Sequence, residues 1–251
     1  MRKIVVSVVS HRHGAMVESL LHRLSEISSS HVVRVVLTQN VAEAVPCEPD
    51  AGWPFALDVI KNASPQGFGE NHNKALHDAK EDFVCIMNPD VELVDAATFG
   101  RLLDAASSAG AGCIYPRQID ADGKIQDIER DMPTFFSLLV RYAVRRPEKC
   151  SDWVNAAFLL LPSKVWHELG GFDERYFMYC EDVDFCLRIR LRGLSLVAAP
   201  VTVVHAGQRA SHRNIHHLFW HLSSLLRLWT SSVFWRAWWK KKRGRLHRTD
   251  A

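Results

Sequence analysis

No stretch of about eighteen consecutive apolar residues occurs in the 251-residue sequence, so no segment is expected to cross a bilayer as a helix. There is no CxxC pair. None of the six cysteines (Cys47, Cys85, Cys113, Cys150, Cys180 and Cys186) is spaced with histidines as a zinc site requires. Cys85 and Cys113 fall inside apolar runs and read as core residues. A uniform excess of one charge is also missing. The net charge is +3, and six basic residues with no acid crowd the tail at Lys240, Lys241, Lys242, Arg243, Arg245 and Arg248. The body before them is close to neutral, which excludes a uniformly basic nucleic-acid binder, and no nucleic-acid partner is expected. The apolar run of the first residues is short and breaks at His11, so it reads as a first strand and not as a signal peptide. A reducing cytoplasm is the expected setting. Internal repeats are absent as well.

What is present is a regular order of strand and helix. Ile4 to Val9 is a β-branched run, Met16 to Ile27 has the apolar spacing of a helix face, and Val32 to Leu37 is again a strand, which together predict a parallel βαβ unit. Pro46, Pro49, Gly52 and Pro54 mark residues 41–54 as loop. A strand from Phe55 to Ile60, a helix from Glu70 to Ala79, a strand from Asp82 to Met87, a helix from Ala96 to Ala109 and a brief strand from Cys113 to Pro116 follow. Asp120 to Gly123 reads as a hairpin tip. Further on the pattern predicts a strand over Val154–Leu161, a helix capped by Ser163 and ended by Gly170-Gly171, a helix over Glu181–Arg192, and two short strands, Leu194–Ala198 and Val201–His205. The expected fold is α/β, a Rossmann-like, mostly parallel central sheet flanked by helices, with a C-terminal amphipathic helical segment. Ligands in such sheets bind beyond the carboxyl ends of the strands.

Several stretches carry chemistry. Asn88-Pro89-Asp90 ends a buried strand. Pro89 forces a turn, and Asp90 either holds Mg²⁺ or Mn²⁺ beside substrate phosphates or caps the turn. Glu181-Asp182-Val183-Asp184 opens a helix after the aromatic run Tyr176 to Tyr179. These acids either serve the helix dipole, with Asp184 pairing Arg188 on the surface, or supply a general base against apolar walls. Gly67 to His72 is a partial GxGxxG, and with Asp90 downstream it keeps a nicotinamide oxidoreductase open as an alternative. His205 ends an apolar strand at the same edge. From Ile215 to Trp239 the chain is aromatic and amphipathic and runs into the basic cluster, a pattern that suits an anionic membrane surface. A non-catalytic membrane-surface scaffold would account for that segment alone.

Taken in order, these stretches resemble the family 2 inverting glycosyltransferases of the GT-A fold, and within them the rhamnosyltransferase-type enzymes of bacterial surface polysaccharide assembly. The residues that carry the resemblance are Val5 to His11, Asn62 to Asn73, Asn88 to Val91, Gly170 to Glu174, Phe177 to Asp184 and Val203 to His205. The resemblance implies a nucleotide-binding half (1–116) and an acceptor-binding half (117–212) within a domain of residues 1–212, followed by an amphipathic basic segment (213–251). It implies a nucleotide-sugar donor such as dTDP-rhamnose or a UDP-sugar, a glycan or lipid-linked acceptor, and a peripheral position on the cytoplasmic face of the inner membrane. Ser10, His11, Asn40, Gly67, Asn71, Asn73 and Asn88 would line the donor site. Asp90 and His205 would hold Mg²⁺ or Mn²⁺. Trp153, Asn155 and Glu181 would lie on the acceptor side, with Asp182 as the general base. Asn88 stands where the family's Asp-x-Asp motif has its first aspartate, and Thr38-Gln39-Asn40 lacks the aspartate many members carry before the asparagine. The helix dipole is expected to outweigh desolvation and keep Asp182 ionised.

Overall fold

The computed structural model describes residues 1–27, 31–138, 151–206, 215–244 and 246. Cys150, Arg245, Arg248 and the expected boundary between residues 212 and 213 lie outside them. The first half follows the expected order: β1 (Ile4–Ser10), α1 (Gly14–Ile27), β2 (Val32–Gln39), β3 (Ala56–Lys61), α2 (Phe68–Leu76), β4 (Phe83–Met87), β5 (Val91–Glu92) and α3 (Thr98–Ala105). Strands β3, β2, β1 and β4 lie side by side and all pair in parallel. The apolar runs of β1 and β4, and most of β2, are buried on both faces, as a sheet covered by two helical layers requires, while the edge strand β3 is exposed or half-buried throughout. The pleat divides them. Ile4, Val6 and Val8 enter one core with α1 and α3, while Val5 enters the other. Phe83, Cys85 and Met87 alternate in the same way with Val84 and Ile86. Cys85 and Cys113 are fully buried, as their apolar surroundings predict.

The second half supplies β6 (Ala111–Ile119), β7 (Glu129–Arg130), β8 (Trp153–Val154), β9 (Phe158–Pro162), α4 (Ser163–Leu169), α5 (Glu181–Leu191), β10 (Ser195–His205), α6 (Ile215–Thr230) and α7 (Ser232–Lys242). Strand β9 inserts antiparallel between β4 and β6, β10 pairs parallel with β6, and β5 pairs antiparallel with β10, giving the order β3-β2-β1-β4-β9-β6-β10-β5. The two short strands expected at residues 194–205 are one strand. Its register shifts between Ala199 and Thr202, around Pro200, which has no N–H to give the ladder. Asp120 to Gly123 is the expected turn: an Ile119–Ile125 bridge closes it and Gly123 takes φ +77°. Ser163 does not cap its helix. The cap position is Pro162, and the Ser163 hydroxyl is buried inside the first turn. Gly170 ends that helix in the left-handed conformation, as expected.

The C-terminal segment is two helices, broken where Ser231 caps α7 by accepting a 3.1 Å bond from Phe234 N. Leu228, Phe234 and Ala237 are buried in the core that α2, α4 and α5 share. The basic cluster is not simply a solvated tail. Lys240 Nζ donates to Leu191 O at the C-terminus of α5 (2.9 Å), and Lys241 bridges Asp131 and Asp152. Among the described residues no helix is long and apolar enough to cross a membrane.

Candidate active site

Strand order reverses on either side of β1, so the crevice of this sheet opens where β1 and β4 end. These strands pair as far as Val8 and Met87, which sends Ser10-His11 and Asn88-Pro89-Asp90 out of the same edge. After β1 the chain turns sharply, with Arg12 at φ +66° and Ser10 Oγ accepting from His13 N (3.2 Å). His11 is exposed beside Asn40, 3.4 Å between side-chain nitrogens. Asn40 and Asn71 are buried and stitch the loop after β3 to the edge. Asn40 accepts from Gln66 N (2.7 Å) and Asn62 Nδ2 (3.0 Å) and donates to Gln66 O (3.0 Å), while Asn71 accepts from Asn62 Nδ2 (2.6 Å) and donates to Gly67 O (2.9 Å). Asn71 is wholly enclosed and reaches the edge only by holding that loop. Asn73 turns the other way and clamps Phe172, donating to its carbonyl (2.9 Å) and accepting from its N–H (2.8 Å).

The glycines of the partial GxGxxG serve this same contact. A Cβ on Gly67 would come within 2.9 Å of Phe177 O, and one on Gly69 within 2.7 Å of Phe172 Cβ. Their bareness lets α2 meet residues 172–177, so a dinucleotide fingerprint is not needed to explain it. His72, the third position, is fully buried against Ser7 Oγ (2.8 Å), and burial pushes its pKa down to about 3.

At the edge where a metal is expected, β10 pairs with the short β5 so that His205 lies opposite Val91. That register sets His205 Nε2 3.4 Å from Asp90 Oδ1. Ala206 N also donates to Asp90 O (3.3 Å), fixing the turn. Gln126 holds the other side of the imidazole, donating to His205 O (2.6 Å) with its Oε1 3.2 Å from Nδ1. Among the described residues no third His, Cys, Asp or Glu completes a cluster. One carboxylate and one imidazole fit a Mg²⁺ or Mn²⁺ whose other positions phosphate and water would fill.

Tyr179 and Cys180, at φ +71° and +65°, are two adjacent left-handed residues that swing the chain into α5. Asp182 is partly buried in its first turn. Burial raises its pKa to about 6, against the opposing pull of the N–H groups of Val183, Ala156 and Asp182 itself and of the Arg130 charge. Desolvation therefore exceeds the dipole, the reverse of the expected balance, and the carboxylate forms only near neutrality. Glu181 is buried, with Oε2 lacking a hydrogen-bond partner, and burial pushes it well above the usual carboxylate range. Asp184 pairs with Arg188 (2.7 Å) at the expected spacing, but this pair is enclosed and not on the surface.

Ala156 and Ala157 join the two centres, since Asn88 N donates to Ala157 O (2.8 Å) while the neighbouring Ala156 N–H reaches the Asp182 carboxylate. Trp153 is buried, its Nε1 donating to Asp131 O (2.8 Å), with Arg130 5.5 Å over its ring. Asn155 is locked to Gln118 by two hydrogen bonds between their amides, accepting from Gln118 Nε2 (2.9 Å) and donating to Gln118 Oε1 (3.2 Å). Gln126, Arg130 and Gln66 are residues that sequence reasoning missed. Gln126 and Gln66 stand in loops and Arg130 in the two-residue strand β7, none with a periodic signal of its own. An open groove of about 620 Å³ between α2 and α4 is lined by Glu70, Lys74 and His77, and by none of Asp90, Asp182 or His205.

Residues 2–222 match the family described as "Glycosyltransferase like family 2". The chain is 27% identical over 253 residues to rhamnosyltransferase WbbL of Escherichia coli (strain K12), covering 89% of this chain and 91% of that one. It is 29% identical over 250 residues to an N-acetylglucosaminyl-diphospho-decaprenol L-rhamnosyltransferase of Mycobacterium tuberculosis (strain ATCC 25618 / H37Rv), covering 84% and 80%. Among solved structures, mannosyltransferase PcManGT from Pyrobaculum calidifontis, in complex with GDP-Man and Mn²⁺, has a TM-score of 0.61 at 17% identity over 90% of this chain and 65% of that one. GalNAc-T7 with UDP, GalNAc and Mn²⁺ has a TM-score of 0.61 at 16% identity, over 82% and 44%. The likeness to these two structures, each longer than this chain, is one of fold.

Proposed function

The chain belongs to the glycosyltransferases of family 2, and from that premise we propose that it transfers a sugar with inversion from a nucleoside-diphosphate donor to an acceptor hydroxyl, using a divalent metal. The observation that carries this reading is the tie through Ala156 and Ala157, which sets Asp182 beside the Asn88–Asp90 turn. The donor diphosphate would lie at the edge formed by Ser10, His11, Asn40, the Gly67 loop and Asn88, within residues 1–116. The acceptor would approach from the 117–212 half, where Glu181 and the wall built on Trp153 and Asn155 stand. Asp90 and His205 would hold Mg²⁺ or Mn²⁺, which when bound would neutralise charge on the departing diphosphate. As the acceptor oxygen bonds to the anomeric carbon, the carbon–oxygen bond to the diphosphate breaks on the opposite face, and Asp182 takes the acceptor proton. No second carboxylate across the bond is needed, in contrast to a glycoside hydrolase. The two rhamnosyltransferase relatives support L-rhamnose as the sugar, delivered as dTDP-rhamnose, with a UDP-sugar as the alternative donor, and support a glycan or lipid-linked glycan acceptor. Nothing in the comparisons favours an oxidoreductase.

A peripheral position on the cytoplasmic face of the inner membrane belongs to the same reading. Leu218, Phe219, Leu222 and Leu226 form an exposed apolar face on α6, Trp235 and Trp239 are exposed on α7, and Lys242 and Arg243 lie over Trp238 and Trp239. The donor site is tested by calorimetry with dTDP and UDP. Affinity in the presence of Mn²⁺ should fall on adding EDTA and in Asp90→Ala, and equal affinity in all three conditions rejects the site.

A further inference from the structure

We propose that Gln126 is a positioning residue that fixes the tautomer of His205 and so prepares its Nε2 for a divalent cation. The inference rests on Asp90 and His205 being the metal ligands. It begins with a constraint on hydrogen-bond donors. A backbone carbonyl can only accept, so the amide nitrogen of Gln126 must be the atom that faces His205 O at 2.6 Å. The remaining amide atom, Oε1, then faces His205 Nδ1 at 3.2 Å and can only accept. Nδ1 must therefore carry the proton. In the neutral ring this leaves Nε2 as the unprotonated nitrogen, 3.4 Å from Asp90 Oδ1. A lone pair and a carboxylate oxygen at that separation repel unless a cation lies between them. A side chain that bonds the far nitrogen of a metal-ligating histidine sets both its ring orientation and its tautomer.

The fold delivers Gln126 for this task. The hairpin after β6 is closed by the Ile119–Ile125 bridge and by Gln126 N donating to Gln118 O (2.9 Å). Asp120 Oδ1 accepts from Asp122 N (3.1 Å) and Lys124 N (2.9 Å), and Gly123 supplies the left-handed residue. Ile119 pairs with Val204, so the hairpin stands next to the end of β10 and its seventh residue from the turn start meets His205. The Asp120–Gly123 turn thus acquires a purpose that its sequence does not announce.

The test uses the full chain and Mn²⁺ alone. Long-range ¹H–¹⁵N spectra of the metal-free protein, with His205 assigned by its loss in His205→Asn, should show Nδ1 protonated. Gln126→Leu should move His205 to a mixture of tautomers and weaken Mn²⁺ binding in calorimetry by about 10–100-fold. Gln126→Glu gives up the donor to His205 O but keeps an acceptor for Nδ1 and should retain the tautomer, which guards against a leucine variant that fails to fold. A wild-type His205 protonated at Nε2 overturns the proposal. So does a Gln126→Leu variant that binds Mn²⁺ as tightly as wild type while Asp90→Ala loses it. Wild type and Asp90→Ala binding Mn²⁺ equally poorly would instead remove the metal site, and the inference with it.

Discussion

Two adjacent carboxyls, Glu181 and Asp182, open the same helix yet stand in different electrostatic surroundings. Glu181 has an oxygen with no hydrogen-bond partner, and burial pushes its pKa well above the usual carboxylate range, whereas Asp182 receives backbone N–H groups and the Arg130 charge, and its pKa stops at about 6. A base acts in its ionised form, so turnover should rise with pH through about 6 and level off above it. Below that pH the carboxylate takes up its proton and turnover falls. Asp182→Asn removes the proton acceptor and should lower kcat by roughly 10²–10⁴. Donor binding should survive, because Asp182 is not among the groups set at the diphosphate. Glu181→Gln is the matched control: an amide of the same shape replaces a neighbouring carboxyl that is not assigned the proton transfer, so kcat should drop far less. Near-normal transfer by Asp182→Asn, or a pH profile flat between pH 5 and 8, refutes the assignment. Asp184 is no control, since its loss would leave the Arg188 charge enclosed without its partner.

The strained entry to α5 is held by α6. Adjacent left-handed conformations at Tyr179 and Cys180 cost about 1–3 kcal/mol each. Against this, Tyr179 Oη lies 2.7 Å from His217 Nδ1 in a hydrogen bond, its ring stacks on His221 at 3.6 Å, and Ser224 Oγ donates to Met178 O at 2.8 Å. The first helix of the C-terminal segment thus grips the loop that leads into Asp182. Tyr179→Phe and His217→Ala should each destabilise the fold in urea, and the double variant should cost less than their sum by about 1 kcal/mol, the worth of the shared bond. Strict additivity would mean that the contact contributes nothing.

For the molecule as a whole, the exposed apolar face of α6 and α7 and the surface cations set how it would meet a membrane. Removing residues 230–251 is a poor probe of this, because it strips Phe234 and Ala237 from the core and Lys241 from Asp131 and Asp152. Surface substitutions separate the effects. Flotation with anionic liposomes should weaken with salt, and should weaken further in Phe219→Glu with Leu222→Glu, at unchanged thermal stability. Full-length protein that ignores anionic liposomes at low salt would end the membrane reading.

Much was already determined by local pattern. The apolar runs of β1, β2 and β4 and the helical spacing of α1 fixed a parallel α/β core, because a sheet covered on both faces needs uninterrupted apolar strands. Pro89 at a strand end and the acids after Tyr176–Tyr179 marked the two chemical centres. What the sequence could not carry depends on register and enclosure. The two-residue strands β5, β7 and β8 are too short for any periodicity. Yet β5 is what brings His205 to Asp90, and β9, from late in the chain, inserts beside β4 and lets Ala156 and Ala157 join the Asn88–Asp90 turn to Asp182. The pKa of Asp182 likewise depends on neighbours distant in sequence, Arg130 and Ala156, and on how much water the packed chain excludes. A dipole can be read from position in a helix, but desolvation exists only once the chain has folded.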